Sequence, residues 1–155
     1  MKDGFIKVAA ASPMIKVADA NYNAGRVIEC MKKASDAGVK VLVFPELTLT
    51  GCSCYDLIGH SVILRGAENA LEKVIEASAG MDMLVIVGLP YAPRGGALYS
   101  VAAVITDGEL LGLVPRSEAA GTLFAPADNE GGEATVCGKF DAYFDTELLF
   151  TSDVL

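Results

Sequence analysis

The sequence predicts an α/β fold, with layers of helix and strand built around a mixed β-sheet. Three observations support this prediction. Two long segments repeat apolar residues at helical spacing, short apolar runs alternate with these segments, and an Asp-Gly dipeptide joins two further β-runs. The predicted order of elements is therefore strand, helix, strand, helix, strand and then a β-hairpin.

The first three elements are a strand at 4–12, a helix at 21–38 and a strand at 39–44. Gly38 lies where the C-cap of the helix belongs. The segment VKVLVF at 39–44 forms a continuous apolar strand, which is the pattern of a strand buried on both faces. The apolar face predicted for the helix comprises Ala24, Val27, Ile28, Met31 and Ala34.

A second helical segment is predicted at 57–80, in two pieces, on the same face of the sheet as the first helix. A buried strand at 83–90 follows it. The hairpin occupies 97–115, and its turn is Asp107-Gly108, a dipeptide that the type I′ turn prefers. The later half of the helical segment has one apolar face, made of Ala67, Leu71, Val74, Ile75 and Ala79.

The character of the sequence changes after residue 115, which is the predicted boundary of the first part, 1–115. Residues 116–133 are rich in Gly, Ala and acidic residues and are expected to form a divergent loop. The last part, 134–155, is expected to hold short strands near 134–139 and 147–150 and to be a truncated end.

Composition restricts the partners and the location of the chain. A formal net charge of −8 argues against binding to nucleic acid or to an anionic membrane surface. No apolar run approaches the roughly 18 residues of a membrane-spanning helix, and no apolar leader is predicted, so we expect a cytoplasmic protein with reduced cysteines. The apolar fraction is 52%, which predicts a surface covered by a partner or by missing chain, and we expect a homo-oligomer.

Glu46 is the main candidate for chemistry. It follows the strand VLVF and Pro45, and the carboxyl ends of strands are where α/β sheets place ligands and catalytic groups. Burial by its apolar neighbours Phe44, Leu47 and Leu49 predicts a raised pKa, which suits a general base near neutral pH. The alternative is a solvated carboxylate at a strand end or a helix start.

Cysteine and histidine offer weaker candidates. Cys30 lies within a predicted helix and Cys137 in a predicted strand, so packing is the expected role of both. Cys52 and Cys54 form a C-x-C pair close after Glu46, but such a pair is a weak metal signal without further ligands. His60, the single histidine, is expected on a helix surface or at a cap. No metal site is predicted.

Several motifs in the correct order carry a resemblance. FPELTLTG at 44–51, VGLP at 87–90 and GELLGLVP at 108–115 resemble the nitrilase (carbon–nitrogen hydrolase) superfamily, and specifically the glutaminase domain of glutamine-dependent NAD⁺ synthetases. The match covers roughly 4–117 and partly resumes at 146–150. The resemblance implies part of an αββα sandwich, with glutamine as substrate.

The resemblance also implies roles for single residues. Glu46 takes the position of the general base in a Glu-Lys-Cys triad, and Arg116 takes the position of the lysine that stabilises the oxyanion. Arginine is bulkier and planar, so it is a doubtful replacement. The nucleophile belongs to a segment like E-I-C-E-D, which the 155 residues do not contain, so no nucleophile is assigned. Tyr99-Ser100 stands where the family has Tyr-Asn.

Three functions follow as hypotheses. The first is a fragment of the glutamine amidohydrolase domain, inactive as this chain, with no cofactor of its own because the ATP site of the family belongs to the synthetase domain. The second is a non-catalytic remnant that acts through self-association. The third is another carbon–nitrogen hydrolase, acting on a different amide or a nitrile.

Overall fold

The sheet follows the order of the chain. The computed structural model describes residues 4–93, 97–117, 123–126 and 149–150. Within them, six strands pair in the order β1-β2-β3-β4-β5-β6, parallel among β1, β2 and β3, antiparallel from β3 to β5, and parallel again between β5 and β6. The predicted mixed sheet is confirmed. The strands are β1 (Val8–Ala10), β2 (Val41–Val43), β3 (Leu84–Tyr91), β4 (Tyr99–Thr106), β5 (Glu109–Pro115) and β6 (Leu149–Phe150).

Two helices connect the parallel strands: α1 (Ala20–Asp36) lies between β1 and β2, and α2 (Ser61–Ser78) lies between β2 and β3. Right-handed crossovers that advance in one direction along a sheet place both helices on the same face. Buried residues of α1, α2 and the strands accordingly belong to one apolar cluster. This agrees with the sequence prediction for the helices.

The end of α1 shows why the chain turns where it does. Gly38 has φ +72°, a conformation that glycine adopts without strain. Its N–H donates to the carbonyl of Ser35 at 2.9 Å, and the N–H of Val39 donates to the carbonyl of Ala34 at 3.0 Å. These two bonds form a Schellman motif, so the glycine predicted from the sequence ends the helix.

The second helical segment is indeed divided. A 3₁₀ segment, Cys52–Gly59, precedes α2, and His60 between them has an extended backbone. The first piece begins earlier than the predicted residue 57 and is a 3₁₀ helix. Ala79, expected on the apolar face, is exposed just beyond α2, and Ser78 is buried instead.

The β4–β5 hairpin turns at Asp107-Gly108, as predicted. Both residues have positive φ, +45° and +81°, as a type I′ turn requires. The turn also contacts the end of α2, because Asp107 Oδ1 accepts from the N–H of Gly80 at 2.7 Å and the N–H of Gly108 donates to Ser78 Oγ at 2.8 Å. The hairpin is thereby tied to the helix layer.

The two faces of the sheet have different surroundings. One face packs against α1 and α2 and forms the core, with Val85, Val87, Leu89, Ala103, Ile105 and Leu113 buried. We call the other the open face, which is made of Val8, Ala10, Val43, Ile86, Ala102, Val104 and Val114. Val8 is 64% exposed and Val43 is 39% exposed. The prediction that 39–44 is buried on both faces is therefore wrong, because no described element covers Val43.

Other predictions fall partly beyond the described residues. Most of the divergent loop at 116–133, and the strand near 134–139, lie outside them, while β6 falls within the segment 147–150 predicted as a strand. In the part of the chain that the structure describes, no helix is long and apolar enough to cross a membrane.

Candidate active site

Glu46 lies in the turn that follows β2. The turn is tight, since the N–H of Gly51 donates to the carbonyl of Leu47 at 2.6 Å and Thr48 Oγ1 donates to the carbonyl of Pro45 at 2.5 Å. Leu47 has φ +53°, which is unusual for a residue with a side chain. This backbone turns the side chain of Leu47 into a small buried cluster with Cys54 and Ile58.

Gly88 in β3 allows this turn to lie against the sheet. A Cβ atom at Gly88 would be 2.6 Å from the N of Leu47, 2.7 Å from the carbonyl oxygen of Pro45 and 2.8 Å from the Cα of Glu46. Only a residue without a side chain fits such a close approach of two backbones. Gly88 belongs to the motif VGLP, but the motif alone does not indicate this close approach. The available signal in the sequence was a glycine inside a buried strand.

The Glu46 carboxylate is held by two donors from later in the chain. Ser100 Oγ donates to Glu46 Oε1 at 2.6 Å, and Arg116 Nη1 donates to the same oxygen at 2.9 Å. Ser100 is at the start of β4, and Arg116 directly follows β5. The structure thus brings together the two predicted site residues, Glu46 and Arg116. It adds Ser100, which stands out in the sequence only as a departure from the family's Tyr-Asn motif.

The surroundings of Glu46 lower its pKa. The hydrogen bond from Ser100 is the main cause, partial burial opposes it, and the hydrogen bond and positive charge of Arg116 lower the pKa further. The predicted raised pKa is therefore wrong. The apolar neighbours in the sequence do bury themselves, but the Glu46 side chain is 51% exposed and turns towards polar partners.

Glu46 borders a groove on the open face of the sheet. The groove has a volume of about 440 Å³, and Ser100 and Arg116 also line it. A second depression of about 300 Å³ shares Val43 and Phe44 with the groove. Most of the remaining lining is apolar, so the carboxylate is a polar group at the edge of a hydrophobic surface.

The other candidate residues lie apart from this arrangement. Cys54 is buried and donates to the carbonyl of Thr50, Cys52 is exposed, and Cys30 packs half-buried against the core. His60 is exposed at the N-cap of α2 and makes no side-chain capping bond. Cys137 lies outside the described residues. Within the part of the chain that the structure describes, no group of three or more His, Cys, Asp or Glu side chains could hold a metal ion.

Comparison with known proteins identifies the class. The model of the carbon–nitrogen hydrolase family matches residues 7–148, and the chain belongs to this family. It is 34% identical over 159 residues to the glutamine-dependent NAD⁺ synthetase of Mycobacterium tuberculosis, a match that covers 98% of this chain and 23% of the relative. The synthetase of Thermotoga maritima is 32% identical over 108 residues, covering 70% of this chain and 18% of the relative. The resemblance predicted from the sequence is confirmed.

Solved structures agree on the fold. A glutamine-dependent NAD⁺ synthetase from Cytophaga hutchinsonii superposes with a TM-score of 0.74 at 21% identity, covering 81% of this chain and 22% of that one. An amidase from Nesterenkonia sp. superposes with a TM-score of 0.65 at 17% identity, covering 79% of this chain and 48% of the amidase. The predicted nitrilase-type α/β fold is confirmed. The chain spans about a quarter of the length of the synthetases that it matches.

Proposed function

We propose that the chain is part of a glutamine amidohydrolase domain in which Glu46 is the general base. The observation that carries the proposal is the Glu46 carboxylate, which is held by Ser100 and Arg116 at the edge of a groove beyond the end of a parallel strand. Its support is membership of the carbon–nitrogen hydrolase family and a likeness, over nearly the whole chain, to relatives named as glutamine-dependent.

The proposed chemistry is a proton relay. Glu46 takes the proton of an attacking thiol and later delivers it to the leaving ammonia, while a cation stabilises the negative oxygen of the tetrahedral intermediate. Glu46 is ionised at neutral pH, as a proton acceptor must be, but its lowered pKa makes it a weaker base than an ordinary glutamate. Arg116 takes the position of the cation, but its Nη1 is bound to Glu46, an arrangement that weakens its hold on an oxyanion.

The test is a chimera in which residues 4–117 replace the matching segment of the M. tuberculosis synthetase, with Arg116→Lys included. We expect this chimera to release ammonia from glutamine, and addition of Glu46→Gln to lower the rate by about 10²–10⁴-fold because the proton acceptor is lost. The 155-residue chain alone is the control and is expected to release none.

One result would contradict the role of Glu46, and another would contradict the inactivity expected of the chain alone. Equal rates for the chimera with glutamate and with glutamine at position 46 would remove Glu46 from the chemistry. Ammonia release by the chain alone that disappears in Glu46→Gln would show that it holds its own nucleophile, for which the exposed Cys52 is the first candidate.

We further propose that the chain forms a homodimer through its open face. The residues of this face carry no charge, and the nearby Glu46 and Arg116 neutralise one another. Two copies related by a two-fold axis could therefore pack these faces together as two sheets do in a sandwich, without opposing like charges. Val8 and Val43, which are exposed in the single chain, would become buried. The groove beside Glu46 would be closed as well, which agrees with a chain that is inactive by itself.

Sedimentation at tens of micromolar tests the dimer. We expect a dimer for the natural chain and a monomer for Val43→Lys, because a lysine in the apolar contact would be buried without a partner. Val62→Lys is the matched control, since Val62 is 70% exposed on α2, on the other side of the sheet. A monomeric natural chain, or equal dissociation by both lysine variants, would contradict the proposal.

Location and cofactor complete the proposal. We propose a cytoplasmic protein, and the support is that Cys30, Cys52 and Cys54 are free thiols. Recovery of the protein in a membrane or secreted fraction would contradict this. No cofactor is proposed for the reaction at Glu46, because proton transfer and thiol attack need only side chains. ATP is proposed to act in a synthetase domain outside these residues.

A further inference from the structure

Ser100 contacts both charged residues of the site. Its hydroxyl donates to Glu46 Oε1 at 2.6 Å, and its backbone carbonyl accepts from the N–H of Arg116 at 2.9 Å. Ser100 is itself only 3% exposed and is fixed in β4 by pairing with Pro90 of β3. One rigid residue therefore sets the positions of the carboxylate and of the arginine backbone together.

The two donors bind the same oxygen of the carboxylate. Ser100 Oγ and Arg116 Nη1 both reach Oε1, at 2.6 and 2.9 Å, while Oε2 accepts no hydrogen bond from the part of the chain that the structure describes. A carboxylate bound in this way cannot turn freely about its last bond. We propose that Ser100 is a positioning residue that, with Arg116, binds Oε1 of Glu46 and leaves Oε2 as the oxygen that accepts the proton.

The role of Ser100 follows from the way in which an arginine binds a carboxylate when no other donor competes with it. A guanidinium group binds a carboxylate preferentially through both oxygens, in a fork-to-fork arrangement. Occupying Oε1 with a short hydrogen bond from Ser100 favours the single contact that is observed, from Nη1 to Oε1. Without the hydroxyl, Glu46 is free to turn and offer Arg116 both oxygens, which would block the proton acceptor. This inference rests on the proposed function for its chemistry, but the contact itself is testable without activity.

The first measurement is an NMR titration of the Glu46 side-chain carboxyl in the 155-residue chain. The pKa of Glu46 is expected below the usual glutamate range in the natural chain and higher in Ser100→Ala, because losing the hydrogen bond that lowers it most outweighs the gain of a second, weaker hydrogen bond from Arg116. Ser100→Thr retains a hydroxyl and is expected to restore the low pKa. Ser53→Ala, at an exposed serine in the 3₁₀ segment, is the control and is expected to leave it unchanged.

Stability against pH gives an independent measurement. A carboxyl group whose pKa is lower in the folded chain stabilises the fold above its unfolded-state pKa, and this contribution is lost as the pH falls through the lowered value. The natural chain should therefore be more stable to urea than Ser100→Ala near neutral pH, and the difference should shrink in acid. A pKa of Glu46 that Ser100→Ala leaves unchanged, or a stability difference independent of pH, would overturn the role of Ser100.

In the chimera Lys replaces Arg116, but the Ser100 hydroxyl is still there to donate to Glu46. The pH dependence of the chimera therefore separates the positioning role of Ser100 from the proposed function. The acid limb of the pH profile of kcat/KM reports the pKa of the general base in the free enzyme. This limb should therefore move to higher pH in the Ser100→Ala chimera, together with the pKa of Glu46. If the pKa moves and the acid limb does not, Glu46 is not the base and the proposed function fails, although the positioning contact is real. If neither the pKa of Glu46 nor the acid limb moves, the positioning role of Ser100 is wrong, and the proposed function is not contradicted.

Discussion

Replacing Gly88 with alanine is expected to lower the free energy of unfolding by about 3 kcal/mol, the upper part of the range for an overpacked core. The new Cβ would lie 2.6–2.8 Å from three backbone atoms of the Glu46 turn. Backbone atoms cannot move aside as the tip of a flexible side chain can. Either β3 or the turn must shift, and Glu46 would shift with the turn. Urea unfolding followed by far-ultraviolet circular dichroism measures the loss.

Gly25→Ala provides the matched control for this substitution. Gly25 lies in α1, and a Cβ there would meet nothing within 4 Å. Alanine is the better residue in a helix by roughly 0.5–1 kcal/mol, so this variant should be slightly more stable than the natural chain. If both alanine variants changed stability equally, the close approach at Gly88 would not be the cause.

Asn23→Ala is expected to cost about 2–4 kcal/mol, because a fully buried amide would lose three hydrogen bonds. Asn23 Nδ2 donates to the carbonyls of Lys16 at 2.8 Å and Leu49 at 3.0 Å, and its Oδ1 accepts from the N–H of Lys16 at 2.7 Å. These bonds join α1 to the segment before it and to the turn after Glu46. Alanine would leave the N–H and the carbonyl of Lys16, and the carbonyl of Leu49, without these hydrogen bonds.

Asn21→Ala tests whether any asparagine in this part of α1 behaves in the same way. Asn21 is exposed, and its side chain accepts a hydrogen bond from Lys73 on the protein surface. Its removal is expected to change the free energy of unfolding by less than about 0.5 kcal/mol. The same urea unfolding experiment compares the two variants, and equal losses would contradict a special role for Asn23.

Local features of the fold were predictable because their causes are local. Gly38 ends α1 and Asp107-Gly108 turns the hairpin, since both need positive φ within a few residues of chain. Burial was predicted less well. The apolar run around Val43 indicated two covered faces, but an apolar side chain does not reveal which surface will cover it, and Val43 remains 39% exposed.

The sequence singled out Glu46 and Arg116, which the structure brings together, but it did not indicate their contacts. The strand end located Glu46, and family resemblance located Arg116, but Ser100 lies 54 residues from Glu46 and no local pattern marks it. The pKa of Glu46 is lowered, against the sequence prediction, because the apolar neighbours of Glu46 in sequence are not the neighbours of its carboxylate in space. Leu47 is buried in an apolar cluster, whereas the carboxylate meets two donors that only the fold supplies.

The order of strands in the sheet has a consequence for synthesis on the ribosome. Among the residues that the structure describes, each strand from β2 to β6 pairs with the described strand that precedes it along the chain. A polypeptide that emerges from its N-terminus can therefore extend the sheet strand by strand, because each new strand meets a partner that is already made. Glu46 is synthesised before its partners Ser100 and Arg116, which follow it by 54 and 70 residues. Its carboxylate thus remains solvated until the hairpin has emerged and joined the sheet.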